Sequence, residues 1–234
     1  KSIDEARSWL STKGIAAGIE HKDKPELRMP KRFSKDSLTK LSPDHSYWVD
    51  RGVSEYSVAE FKGGVVLEGR MANRYVFPIF DAKRNIAGFA GRDLKPNDKR
   101  PKWKLIGDKS KWKYPLYLNH EIIKSSRSVI IVESIGDMLS LWDCGVKNVA
   151  VSFGLDLNAE LVGAFIRFNL SKIIVSFNDD SKSSGAGNRA AEKAEKKLLN
   201  YFDSHQVRVI LPTHGDFGEM SKEQILDWAK SIDE

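Results

Sequence analysis

Near residue 125 the rhythm of apolar and polar positions changes. Beyond it, short aliphatic runs at 128–132 (SVIIV), 148–153 (NVAVSF), 172–177 (KIIVSF) and 206–211 (QVRVIL) alternate with stretches whose apolar residues recur at helical spacing. Runs apolar on both faces predict parallel strands covered from both sides, because a half-exposed strand would alternate apolar with polar. The intervening segments are amphipathic. Ile135, Met138, Leu139 and Trp142 share one helical face, as do Leu161, Val162, Phe165 and Ile166, and again Ala191, Ala194, Leu198 and Phe202. Ser221 followed by Gln224 is a capping-box pattern and starts a last helix at about residue 222. This order predicts an α/β fold: an open parallel sheet of about four strands, flanked by helices and joined by right-handed crossovers.

The N-terminal half is expected to be a mixed α+β subdomain. In "NRYVFPIFDAKRNIAGFAGRD" (73–93) a strand Tyr75–Phe80, a charged turn and a second strand Ile86–Ala90 end at Gly91-Arg92. "SYWVDRGVSEYSVAEFKGG" (46–64) predicts two short helices broken at Gly52 and Gly63, with Trp48, Val49, Val53, Val58 and Phe61 in their core. The expected division is a linker with peripheral helices over 1–45, a basic subdomain over 46–125, the parallel-sheet domain over 126–220 and a closing helix over 221–234.

Composition narrows this. With 41% apolar and 10% aromatic residues in 234, the chain can build an ordinary core. No run reaches the roughly 18 apolar residues of a membrane span, and "KSIDEARSWL" lacks the apolar centre of a signal peptide, so a soluble cytoplasmic protein is expected. A chain that starts at Lys1 is expected to be part of something longer. Cys144 is the only cysteine, which excludes internal disulfides and multi-cysteine zinc sites within these residues. His21, His45, His120, His205 and His214 show no metal-type spacing, so no zinc is expected. The net charge of +6 is concentrated between Lys83 and Lys113, where cations far outnumber Asp93, Asp98 and Asp108. Trp103, Trp112 and Tyr114 lie among them, and cations interleaved with aromatics suit single-stranded nucleic acid, whose phosphates pair while its bases stack.

In an open parallel sheet, ligands gather beyond the carboxyl ends of the strands. There this sequence concentrates acids. Glu133 ends the first strand and Asp137 follows one helical turn later; Asn178, Asp179 and Asp180 end the third; Asp216 and Glu219 follow the fourth. Singly, each has a plain structural explanation, as a helix-start acid or a turn residue. Together they repel, and such a set persists most cheaply around a divalent cation. Oxygen donors without His or Cys favour Mg²⁺ or Mn²⁺ over zinc. "SSGAGNRAAEKAEKK" (183–197) adds a glycine-bearing turn into a helix that can offer backbone N–H groups to phosphate, although the Walker pattern GxxxxGK[ST] is absent.

Glutamate at a strand end with aspartate four residues on, then an acidic pair followed by "AGNRAA", resembles the TOPRIM domain shared by DnaG-type primases, topoisomerases and related nucleases. The upstream segments narrow the resemblance. "NRYVFPIFDAKRNIAGFAGRDL", "RPKWKLIGDKSKWKYPLYLN" and "YWVDRGVSEYSVAEFKGG" are similar, in order, to segments of a DnaG-type primase core, and the likeness runs from residue 45 to 220. No region offers the tyrosine-nucleophile domain of a topoisomerase. The resemblance implies synthesis of RNA primers from NTPs on a single-stranded DNA template with Mg²⁺ (or Mn²⁺), and a replicative helicase partner reached through regions outside this chain. It implies catalytic roles for Glu133, Asp137 and Asp180, metal ligation by Glu133, Asn178, Asp179, Asp180, Asp216 and Glu219, and nucleotide or nucleic-acid contacts from Arg74, Arg92, Lys99, Arg100, Lys102, Lys104, Lys111 and Lys113. Three features depart from the family pattern. Asn178 stands where the family has an aspartate, the extra residues Ser181–Ser184 precede the glycine turn, and Glu219 takes the place of a second aspartate after the fourth strand. These departures resemble phage variants more than bacterial housekeeping enzymes. The alternatives that use the same acids are a TOPRIM-type metal-dependent nuclease and, given Asn178, a single-stranded-DNA-binding module with impaired chemistry.

Overall fold

The computed structural model describes residues 4–5, 33–95 and 100–232. The chain divides into Lys1–Pro30 and Lys31–Glu234, and the latter holds the two sheets found among the described residues. The peripheral helices expected over 1–45 fall largely outside the described residues.

The change of rhythm near residue 125 is a change of sheet. Upstream, β1 (Gly64–Val66), β2 (Arg74–Phe80), β3 (Ile86–Asp93) and β4 (Trp103–Gly107) form an antiparallel sheet in that order. The β2–β3 hairpin closes because the Asp81 carboxylate accepts from the backbone N–H groups of Lys83 and Asn85, both at 2.8 Å, as turn-forming aspartates do. Ahead of the sheet lie two short helices, α1 (Ser46–Val49) and α2 (Glu55–Ala59), separated at Gly52, whose φ of +83° few other residues adopt. Strands β1 and β4 were not anticipated. In β4 the alternation of Trp103 and Leu105 with Lys104 is hidden by the surrounding lysines, which suit an edge strand.

Downstream, β5 (Ser128–Val132), β6 (Val149–Val151), β7 (Lys172–Val175) and β8 (Val207–Val209) form a wholly parallel sheet in the order β6-β5-β7-β8. Five further helices, α3 (Leu116–Ser126), α4 (Ile135–Asp143), α5 (Ala159–Arg167), α6 (Ala186–Leu198) and α7 (Lys222–Ser231), flank it. Because successive residues of a strand point to opposite faces, the strands serve two cores. Val129, Ile131, Ile173 and Val175 pack with Ile123 of α3, Phe165 of α5 and Ala191 and Leu198 of α6. Ile130, Val132 and Ile174 belong instead with Met138 and Trp142 of α4, Trp228 of α7 and the aromatics of the antiparallel half. Each such side chain, fully buried, contributes about 1.5–3 kcal/mol.

That second core is continuous across both sheets. Phe61 meets Trp142 edge-on at 4.9 Å and Tyr114 at 6.1 Å. Val49 and Ile166, expected inside, are exposed: Val49 ends a single-turn helix, and Ile166 lies at the margin of the α5 apolar stripe. Trp112 and Tyr114, expected among cations as stacking partners, are instead core residues at 1% and 0% exposure. The capping box of α7 is present as expected.

Candidate catalytic cleft

The order β6-β5-β7-β8 reverses direction between β5 and β7, which opens a crevice at the carboxyl ends of those two strands. Glu133 leaves β5 there. Its backbone is fixed by the loop after β6: Gly154 N–H donates to the Glu133 carbonyl (3.2 Å), and the Ser152 hydroxyl donates to the Val132 carbonyl (3.1 Å). Asp137 forms a capping box with Ser134, accepting from its N–H (3.1 Å) and hydroxyl (2.7 Å), and is 3% exposed.

After β7 the chain turns into α6 at very short range. A Cβ at Gly187 would lie 2.3 Å from the Asn178 carbonyl oxygen, so only glycine fits. Asp180 holds this turn, accepting from the N–H groups of Ala186 and Gly187, both at 2.9 Å, and from the Ser184 hydroxyl at 2.6 Å. Asp179 accepts from the Asn188 amide (3.0 Å), and its own N–H donates to the Gly215 carbonyl (2.7 Å), tying the loop after β7 to the loop after β8. That second loop carries Asp216 and Glu219.

The resulting cleft, about 330 Å³, is lined by the acids Glu133, Asp137, Asp216 and Glu219 and by Asn178. Arg51, Arg92 and Lys102 line it too, with Trp48 and Trp103. Arg92 donates to the Tyr47 hydroxyl (2.8 Å), and its guanidinium lies 5.6 Å from the Trp103 ring. Arg51 sits over the Tyr47 ring at 3.7 Å. Arg51 and Trp48 were missed in the sequence, where the helix break "DRGV" gives no motif that distinguishes them.

Two kinds of acid result. Burial first, then the charges of Asp180 and Asp216, push the Glu133 carboxyl above its ordinary value, against the pull of Lys102. Burial and then Asp216 push Asp137 up to about 7, against the Ser134 hydrogen bonds. In the turn, by contrast, the Ser184 hydroxyl and backbone N–H groups hold Asp180 below the usual carboxylate range, and the Asn188 amide does the same for Asp179. Among the described residues no three His, Cys, Asp or Glu side chains converge tightly enough to hold an ion by themselves. A hard divalent cation nevertheless fits this donor set, since Mg²⁺ is commonly held by one or two carboxylates with water and substrate phosphate completing the shell. Burial and the neighbouring carboxylates raise Glu133 and Asp137, and the charge of such an ion would offset both.

Of the expected cations, Arg92 and Lys102 reach this cleft. Arg74 does not: it is 2% exposed and committed to buried Asp93 (3.1 Å) and to the carbonyls of Gly91 and Pro101, both at 3.0 Å. Arg100 also pairs with Asp93 (2.9 Å). Lys104 donates to the Arg70 carbonyl (2.7 Å). Lys111 and Lys113 line a different cavity, beside α3 and α5, and Lys113 is paired with Glu160 (2.9 Å). Lys99 lies outside the described residues.

Asp137 gives a pH signature. Its pKa in the folded chain lies above the ordinary 3.8, so its neutral form favours folding; that contribution is full below pH 3.8 and is lost as the pH rises to about 7. In EDTA, Asp137→Asn is expected to give a flatter melting-temperature profile than the wild type between those limits. Parallel profiles would show that Asp137 is not the group responsible.

Residues 130–221 match the family model described as Toprim-like. The curated DNA primase of Helicobacter pylori strain J99 is 31% identical over 202 residues, covering 85% of this chain and 31% of the relative. The chain spans between 22% and 31% of the length of the first curated DNA primases it matches. A solved DnaG catalytic core superposes with a TM-score of 0.67 at 22% identity, covering 81% of this chain and 73% of that one. A DnaG primase catalytic domain bound to ssDNA superposes with a TM-score of 0.66 at 21% identity, covering 81% and 71%. Among the described residues no helix is long and apolar enough to cross a membrane. Residues 130–221 therefore carry a Toprim-like domain, and with the antiparallel sheet packed before it the chain has the fold of a DnaG catalytic core and is similar in sequence to DNA primases.

Proposed function

We propose that the cleft joins NTPs into short RNA primers on a single-stranded DNA template, in a reaction that depends on Mg²⁺ or Mn²⁺. The observation that carries this reading is that carboxylates and cations line one open cleft: Glu133, Asp137, Asp216 and Glu219 together with Arg51, Arg92 and Lys102. A cation bound among the acids neutralises phosphate charge and activates the attacking hydroxyl. Glu133 is the first candidate ligand, joined by Asp216 and the Asn178 side-chain oxygen, with Glu219 at the exposed margin. Asp180 shapes the start of α6 and adds its charge to the field at Glu133, while Asp137 sets the course of the chain after Glu133 through Ser134. Arg92 and Lys102 steer the phosphates of template and nucleotide, with Lys104 further along β4. The ssDNA named for one structural neighbour supports a single-stranded template. The reading places the chain in the cytoplasm, that of the host if it is phage-encoded, and leaves contact with a replicative helicase to regions outside these residues.

The test is incorporation of labelled NTPs on mixed single-stranded templates with Mg²⁺, Mn²⁺ or EDTA. Elongated RNA is expected with either metal and none with EDTA. Metal-dependent cleavage of labelled DNA without NTPs would assign a nuclease instead. Salt-sensitive binding with neither product would leave a DNA-binding module.

A further inference from the structure

Next to the carboxylate cleft lies a smaller recess that the acids and cations do not explain. It is walled by Trp103 and Leu105 of β4, Ile135 at the start of α4, and Phe153 and Gly154 after β6, and it shares Glu133 and Ser134 with the cleft. Its volume is about 130 Å³, close to the roughly 150 Å³ of a cavity known to take one benzene ring.

The walls are held in place. Trp103 stacks on Trp48 (6.4 Å, 26° between planes) and has the Arg92 guanidinium over its ring. Phe153 meets Trp112 edge-on at 4.9 Å and carries a φ of +58°, a conformation a bulky residue keeps only where its surroundings impose it, and one concentrated at ligand clamps. Beside it, Gly154 has a φ of +118° and leaves open space, with the Lys109 ammonium, bonded to the Phe153 carbonyl at 3.4 Å, as the nearest group.

An apolar recess with packed aromatic walls that lies beside carboxylates fits a molecule with a planar ring at one end and phosphates at the other. We infer that this slot receives the base of the nucleotide whose phosphates occupy the cleft, with Trp103, Leu105 and Phe153 as its positioning residues. Trp103, Leu105 and Phe153 recognise the base by contact and not by hydrogen bonds, so the slot accepts all bases and leaves selection to pairing with the template. The inference rests on the reading of the cleft as a nucleotide site.

The experiment measures binding of Mg·ATP and of Mg·tripolyphosphate, which lacks the base, to the full chain by calorimetry. Wild type is expected to bind ATP more tightly. Leu105→Trp, which fills the slot without replacing an acid, is expected to weaken ATP binding on the order of tenfold, as loss of one stacked base does, and to leave tripolyphosphate binding unchanged. Should that variant melt early, Leu105→Ala, which removes one wall, must also narrow the gap between the two ligands. A gap that persists in both variants, or equal binding of the two ligands by wild type, overturns the slot while leaving the nucleotide site standing. Binding of neither ligand overturns the nucleotide site and the slot with it.

Discussion

Glu133→Gln is expected to lower NTP incorporation on single-stranded templates about 10²–10³-fold, the scale on which removal of one preorganised electrostatic group acts. The substitution keeps the shape and removes only the charge. Glu133 stands half-buried at the strand end where the sheet order reverses, its backbone fixed by Gly154, so glutamine can take the same position. The melting temperature is expected to stay the same or to rise. The native carboxylate is opposed by its burial and by Asp180 and Asp216, and deleting its charge relieves that repulsion. Loss of activity together with equal or greater stability is the pattern of a group placed for chemistry at the expense of folding. Retention of wild-type incorporation at matched Mg²⁺ would remove Glu133 from the mechanism, and a lower melting temperature would make it a structural residue.

Arg74→Met should have the largest effect on stability, about 3–5 kcal/mol, because it strands a buried charge. Asp93 is 0% exposed and receives Arg74 at 3.1 Å and Arg100 at 2.9 Å. Removing Arg74 leaves the carboxylate with one cationic partner, Arg100, itself partly exposed, beside the Lys95 N–H (3.0 Å), and takes donors from the carbonyls of Gly91 and Pro101. For a chain of this size the melting temperature should fall by about 10 °C, in urea as in heat. The double variant Arg74→Met with Asp93→Leu should recover much of the loss, since an apolar pair needs no compensation. A single variant that melts like wild type but binds single strands weakly would return Arg74 to the nucleic-acid contacts.

The contrast between these residues shows where the sequence is informative. Runs such as SVIIV at 128–132 fold as read, because a doubly apolar β-branched run has few other places to go. The acids after β5, β7 and β8 gather where the strand-end rule puts them. What the sequence conceals is each side chain's partner. Arg74 and Arg92 are both cations at strand ends, yet one meets Asp93 in the interior and the other meets Tyr47 at the cleft. Nor does the sequence show that the residues after Asp180 fold back and bring the backbone N–H groups of Ala186 and Gly187 onto its carboxylate. Arg51 and Trp48 become part of the cleft only through packing between segments far apart in the chain. Lysines disguise β4 because an edge strand tolerates them, and with β4 hidden the wall formed by Trp103 and Leu105 could not be read.

The shared aromatic core has a consequence for how such a chain can be divided. The Toprim-like match begins at residue 130, but the surface of α4 that packs under Phe61 and its neighbours belongs to the same apolar cluster as Tyr47, Trp48 and Phe77. A fragment cut at that boundary would bare Ile135, Met138 and Trp142 as a contiguous apolar patch, the kind of surface that drives aggregation. In this chain the two sheets are therefore held by one apolar cluster, and a fragment meant to stay in solution has to carry both.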